Sequence, residues 1–369
     1  MNVVMVSAGF WPAIGGAERQ ALELSRELKK RGAGVTVLTR RLGCAQARED
    51  VHGVAVRRLP VLGTGTLDSL CFLAGALGWL LKHGSEYDAI HAHLAGSPAL
   101  AAALAGRWLG KPVIVKLGAG RGYGEISSSA PLTRLKLRLL AWLKPHFLAV
   151  AADLADEARE HLGDGVTIEL LPNGVDLARF KPVSPSEKSA LRASYGWSGT
   201  VFLYTGRLSP EKRLPWFAKL WAEATEGRDA LLVLAGAGPE KEALEALGLE
   251  RVRVLGPVDD AAPLYAAADA FILPSISEGL SNSLLEAMAS GLAIVASAVG
   301  GTAEAVENGK TGLLFGKDDE KALTLAAKRV VDDPAEAARL GAAARLVCEE
   351  RYGFRRVAQR LERLYRGEP

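Results

Sequence analysis

The chain has few cysteines, no excess of charge and no long apolar run. Cys44, Cys71 and Cys348 are odd in number and far apart. That pattern excludes a disulfide framework and zinc-ligand spacing, and it suits a reducing cytoplasm. A formal net charge of +3 gives no case for general nucleic-acid binding. The longest apolar run, Leu70 to Leu81, is twelve residues, too short for a bilayer, and it predicts a buried helix. The start, Met1-Asn-Val-Val-Met-Val, lacks a basic leader region and reads as a first strand. There is no Gly-x-Gly-x-x-Gly and no Asp-x-Asp, and the loop of residues 10–19 after the first strand has no Walker Lys-Ser/Thr pair. Asp259-Asp260 and Asp318-Asp319 are adjacent pairs, so no carboxylate clamp for Mg²⁺ or Mn²⁺ is evident and none is expected. Short-period repeats and low-complexity tracts are also missing.

With 369 residues, 49% hydrophobic and 24% charged, the chain is an ordinary globular sequence too long for one core. Short β-rich runs alternate with helical patterns. In the first half the strand candidates are 3–6, 34–39, 55–59, 89–91, 113–116 and 147–151. In the second they are 167–171, 201–204, 231–235, 252–255, 270–273 and 293–297. Helical stretches such as 17–31, 98–108, 214–224 and 240–247 separate them. This alternation predicts an α/β fold with two doubly wound parallel sheets, each covered on both faces. The turn signal Leu171-Pro-Asn-Gly-Val-Asp176 marks the boundary. We therefore expect domains at 1–170 and 171–350, with a last helix from Arg351 that packs on the second domain or returns to the first.

Glu278 and Glu286 flank a predicted helix start. The run Ala270-Phe-Ile-Leu stops at Pro274, Ser281 or Ser283 can cap a helix, and Gly291 ends it. The free N–H groups of such a start favour an anion between the two carboxylates. A phosphate flanked by hydroxyl-binding carboxylates suits a nucleotide sugar. The plainer reading is a solvated loop Glu and a surface helix Glu. Arg207 and Lys212 follow the strand at 201–204. Ligands of open α/β sheets bind outside the carboxyl ends of strands, where both cations could hold a diphosphate and stabilise its departure. Otherwise Glu211 and Lys212 form a surface pair of little energetic value. Gly15-Gly16, between the first strand and first helix, allows a pyrophosphate to approach the backbone, or simply makes a turn. Ala235-Gly-Ala-Gly238 reads as tight packing. His91 and His93 share one face of a strand and fit core packing or a substrate hydroxyl better than a metal.

Positive charge is concentrated between Arg107 and Ala152, with eight Lys/Arg against one acid, Glu125. Within it, Pro131 to Lys144 reads as a basic amphipathic helix carrying Leu and Trp142. Either it lies on an anionic membrane surface or its apolar side packs on the sheet.

Together these motifs resemble the family-4 retaining glycosyltransferases of the GT-B fold. The matching residues are Gly15-Gly16-Ala-Glu18, Leu171 to Asp176 with Phe180 and Pro182, Gly206-Arg207 with Glu211-Lys212, Asp269 to Ser275, Glu278 to Ala289, and Val299-Gly300-Gly301 with Gly309 to Leu314. They occur in family order over nearly the whole chain. The resemblance implies two Rossmann-like domains facing across a cleft. The N-terminal one would bind the acceptor and the second the nucleotide sugar, with helix 351–369 crossing back to the first. It implies transfer of a hexose from a nucleoside diphosphate sugar to a hydroxyl acceptor, such as a lipid-linked or cell-surface glycan precursor, with retention and without metal or cofactor. Glu278 would meet donor-sugar hydroxyls and Glu286 the ribose diol. Arg207 and Lys212 would hold the diphosphate with N–H groups near Gly16 and over Gly279, Leu280, Ser281 and Asn282. The base would lie near Gly256, Pro257 and Val258. Where the family often has a His after Lys-Pro and a strand, this chain has Gly118. By location, Lys116, Arg121 and Glu125, with His91 and His93, are the acceptor candidates. The protein is expected in the cytoplasm, with the inner face of the membrane as a docking surface. A hydrolase or epimerase on the same scaffold, and a non-catalytic nucleotide-binding module, are the competing functions.

Overall fold

A computed structural model describes residues 1–369 except Ala13, Ile14, Cys44, Thr64, Glu125, Ser128, Ser129 and Pro369. Two compact units divide the chain. One joins Met1–Gly174 to Phe354–Pro369, and the other is Val175–Gly353.

The first unit contains strands β1 (Asn2–Val6), β2 (Gly34–Arg40), β3 (Arg48–Val51), β4 (Val54–Leu59), β5 (Ala89–His93), β6 (Val113–Leu117), β7 (His146–Ala149) and β8 (Ile168–Leu170). Its helices are α1 (Gly16–Lys30), α2 (Gly65–Lys82), α3 (Ser97–Leu109), α4 (Pro131–Leu143), α5 (Ala152–Leu162) and, from the chain's end, α14 (Phe354–Tyr365). The sheet order is β3-β4-β2-β1-β5-β6-β7-β8. Every pairing is parallel except β3 with β4. The strand β3, sequence REDV, escapes the sequence reading because a charged edge strand has no apolar alternation.

One face of this sheet packs under α1 and α14. Its core joins Val3, Met5, Val35, Ala89 and Ile114 to Leu24 and Leu28 of α1 and to Leu361 and Tyr365 of α14. Two forked ion pairs hold α14 in place. Arg31 donates to Glu362 at 3.0 and 2.8 Å, and Arg360 to Glu169 at 2.6 and 2.8 Å. The predicted terminal helix is α14, which starts at Phe354 instead of Arg351.

The apolar run 70–81 lies in α2 but is buried on one side only. Phe72, Ala76 and Leu80 point inward, whereas Leu70 and Leu81 are exposed. Four-residue spacing lines one face of a helix, so a run that is apolar all round still has an outer side. Helix α4 also has two sides. Leu137 and Leu140 pack inward, and Leu132, Leu135, Leu139 and Trp142 are exposed. Among the described residues no helix is long and apolar enough to cross a membrane.

The second unit contains β9 (Thr200–Thr205), β10 (Ala230–Ala235), β11 (Val252–Gly256), β12 (Ala270–Leu273), β13 (Ala293–Ser297) and β14 (Leu313–Phe315). Its helices are α6 (Pro185–Tyr195), α7 (Leu214–Ala224), α8 (Lys241–Glu245), α9 (Ala262–Ala267), α10 (Asn282–Ala289), α11 (Gly300–Ala305), α12 (Glu320–Asp332) and α13 (Pro334–Arg351). The order β11-β10-β9-β12-β13-β14 is parallel throughout. Strands β10, β12 and β13 are buried at every position, which explains their unbroken apolar sequences.

Candidate active site

In a parallel sheet all carboxyl ends share one edge, and ligands settle where the strand order reverses. In the second unit the reversal lies between β9 and β12. Arg207 and Lys212 follow β9, and Glu278 follows β12. Lys212 Nζ donates to Glu278 Oε1 at 2.5 Å, and Ser275 Oγ donates to the same oxygen at 2.6 Å. Ser275 is fully buried, and its carbonyl accepts from Ser297 Oγ of β13 at 2.5 Å. The two loops are joined again where the Ile276 N–H donates to the Glu211 carbonyl at 2.9 Å. Glu278 is therefore a fixed, nearly buried carboxylate and not a solvated loop residue.

Arg207 is exposed, and its guanidinium donates to no described residue. Its carbonyl accepts from the Tyr204 hydroxyl at 2.8 Å. Burial pushes the Tyr204 phenol well above its ordinary range, and the Glu278 and Glu211 carboxylates add to the shift. Tyr204 thus stays neutral and shapes the loop, while Arg207 presents its fork outward.

Of the two candidate caps, Ser281 is the one used. Its Oγ accepts from the Leu284 N–H at 3.4 Å, and Ser283 Oγ lies 2.9 Å from it. Glu286 falls in the second turn of α10 and is buried, which a surface helix Glu would not be. Gly279 and Leu280 lie beneath the start of α11. The Gly301 N–H donates to the Gly279 carbonyl at 2.7 Å. A Cβ on Gly301 would stand 2.2 Å from that oxygen, so this contact requires glycine. Gly256, Pro257 and Val258 close β11 on the same sheet edge, with Pro257 and Val258 exposed. The Gly236–Gly238 turn does pack tightly. A Cβ on Gly236, at φ +151°, would lie 1.8 Å from the Gly206 carbonyl oxygen.

In the first unit the strand order reverses between β1 and β5. Gly15 is the N-cap of α1 and Gly16 its first residue. His91 and His93 of β5 are stacked, with ring centres 4.5 Å apart and planes 6° from parallel. Lys116 is the parallel register partner of His93. All three are buried, at 0%, 2% and 5% exposure. His91 Nδ1 lies 2.6 Å from the Tyr365 hydroxyl of α14. Burial lowers His91 far below its ordinary range and His93 to about 3, helped in both by the Lys116 charge. Burial also lowers Lys116 to about 8. Arg121 is elsewhere, paired with Glu160 of α5 at 2.6 Å on the surface. Glu125 lies outside the described residues. Among the described residues a Cβ on Gly118 would meet only Leu94, at 3.6 Å, so their packing does not demand glycine there.

Sequence reasoning passed over Ser275, Ser297, Tyr204 and Tyr365. Ser275, three residues before Glu278, carried a faint signal. Tyr365 carried none, because it lies 274 positions from its partner His91.

Two doubly wound parallel units, each with its own strand reversal, give the GT-B fold. The family model for Glycosyltransferase Family 4 matches residues 14–179, and that for Glycosyl transferases group 1 matches residues 199–333. Glycogen synthase of Mycobacterium tuberculosis is 30% identical over 99% of this chain and 94% of its own. A GDP-mannose-dependent monoacylated α-(1-6)-phosphatidylinositol monomannoside mannosyltransferase of Corynebacterium glutamicum is 33% identical over a shorter stretch, 56% of this chain and 58% of its own. Anabaena HepE in complex with UDP superposes with a TM-score of 0.81 over all of both chains, at 22% identity. The chain belongs to the group 1, family 4 glycosyltransferases.

Proposed function

We propose that the protein transfers a hexose from a nucleoside diphosphate sugar to a hydroxyl acceptor, with retention and without a metal. The observation that carries this reading is the Lys212–Glu278 pair beside the free Arg207 fork at a strand reversal. As the sugar–phosphate bond breaks, charge gathers on the departing diphosphate. Arg207 receives it as a fork and Lys212 as a point charge. Glu278, steered by Lys212 and Ser275, is left to bind donor-sugar hydroxyls. Glu286 binds the ribose diol, the start of α10 meets phosphate oxygens, and Gly256–Val258 border the base.

A hydrolytic Glu278/Glu286 pair is disfavoured, because Glu278 Oε1 is already taken up by the Lys212 ammonium and the Ser275 hydroxyl and is not held toward a glycosidic oxygen. A non-catalytic dinucleotide-binding module is disfavoured, because the chain has no Gly-x-Gly-x-x-Gly fingerprint. The acceptor is assigned to the first unit, near His93 and Lys116. We further propose that α4 rests on an acidic membrane. Its outward Leu132, Leu135, Leu139 and Trp142 are interleaved with exposed Arg134 and Arg138.

The test is to incubate the protein with several nucleotide sugars and follow nucleoside diphosphate release, with product anomers read by NMR. Release that depends on an added acceptor, with the donor's anomeric configuration kept, supports the proposal. Release to water alone would favour a hydrolase. No release and no nucleotide binding would leave a different function.

A further inference from the structure

Lys116 is a buried cation with no acid beside it among the described residues. Its ammonium makes no hydrogen bond to any described residue, and burial is the cause of its lowered pKa. The charged or titratable groups acting on the neighbouring imidazoles are His93 and Lys116 for His91, and Lys116 for His93. From α14 the facing group is Tyr365, which is itself held neutral by burial and by Glu362. A buried ammonium without a counter-charge is costly to keep.

The imidazoles also lack partners. Nε2 of His91 and Nε2 of His93 are both buried without a hydrogen-bond partner. The Tyr365 hydroxyl lies 2.6 Å from His91 Nδ1. Were Nδ1 protonated and donating, the buried phenolic proton would have no acceptor. The hydroxyl therefore donates to Nδ1, and the proton of this neutral imidazole resides on Nε2. His91 thus offers an unused N–H. With Lys116 it supplies donors and positive charge and no accepting carboxylate.

The position is also informative. His93 ends β5 and Lys116 is the next-to-last residue of β6, so both lie at the carboxyl edge beside the strand reversal of the first unit. His91 lies one step deeper on the same face. The result is a short polar column entering the core from that edge, in an otherwise apolar layer of Met5, Ile114 and Tyr365.

We propose that Lys116, backed by His91 and His93, receives an oxyanionic group, a phosphate or a carboxylate, carried by the acceptor. This rests on the reading of the first unit as the acceptor-binding unit. It deepens that reading by naming a charged acceptor instead of a neutral sugar. An oxyanion accepts the ammonium's protons and leaves neutral imidazole N–H groups as further donors.

The experiment uses the full chain with ¹⁵N-lysine. The Lys116 signal is assigned by its loss in Lys116→Met, or in Lys116→Arg if the first variant does not fold. Its titration is followed without added anion, with inorganic phosphate and with acetate. The expected midpoint near 8 should rise by about one pH unit or more when the matching oxyanion binds, since a nearby negative charge favours the ammonium. A rise with phosphate alone points to a phosphorylated acceptor, and a rise with acetate to a carboxylated one. A midpoint unmoved by both overturns the proposal. UDP binding by calorimetry on the same samples tests the donor reading separately. UDP bound with an unmoved Lys116 sinks only the charged acceptor. A shifted Lys116 without any nucleotide bound sinks the transferase and leaves the anion site.

Discussion

Lys212 Nζ stands 2.5 Å from Glu278 Oε1, joining the loops of two strands that flank the reversal in sheet order. The ammonium serves two anions in turn under the proposed mechanism. It orients Glu278 before the donor arrives and meets the diphosphate as charge develops. Lys212→Ala and Arg207→Ala should lower kcat by roughly 100-fold or more, with a smaller change in donor KM. Steady-state kinetics check this. A change confined to KM would make both residues ground-state binders.

Glu286→Ala should weaken binding of the nucleoside diphosphate by about 1.5–3 kcal/mol, through loss of charge-assisted bonds to the ribose diol. Calorimetry on the folded variant measures it. Unchanged affinity would remove Glu286 from the site.

Activity should survive EDTA, because two side-chain cations are assigned the charge-neutralising task. Loss of turnover in chelator, restored by Mg²⁺ or Mn²⁺, would contradict that assignment.

The protein should co-sediment with vesicles of acidic lipid but not with neutral ones. Each cation near the surface contributes on the order of 1 kcal/mol. Replacing Arg134, Lys136 and Arg138 with Ser should abolish the binding. Failure to bind acidic vesicles at low salt would return α4 to a purely structural role.

His93 sets a pH dependence of folding. Its folded pKa is about 3, below the ordinary 6.5, so on acidification the unfolded chain takes the proton first. Its full contribution is present above about pH 6.5 and is lost as pH falls toward 3. Lys116 acts with the same sign at alkaline pH, where stability gains as pH rises from about 8 toward 10.5. Denaturant unfolding of the full chain and of His93→Phe across pH 4–7 should show a larger acid loss with His93 present, by on the order of a few kcal/mol, with the remaining loss in the variant coming from His91. Equal acid sensitivity in both would place the titrating group elsewhere.

The amino-acid sequence by itself determined the repeated strand–helix alternation, the turn at Leu171–Asp176 and the loops that carry Arg207, Lys212 and Glu278. These are local properties. A strand buried on both faces must be apolar throughout, and a helix start needs its cap within a few residues. The charged edge strand β3 lacks such a pattern, and the three-residue β14 is too short to show one. Tertiary structure decided the rest. It chose Ser281 over Ser283 as the cap, put Ser275 and Lys212 on one oxygen of Glu278, and sent Arg121 to Glu160. It also brought Tyr365 to His91 by returning α14 to the first unit. These contacts join residues whose separation along the chain carries no period. The physical reason is that a hydrogen bond needs its partner at about 3 Å in space, and only the packed sheet determines which distant residue that is.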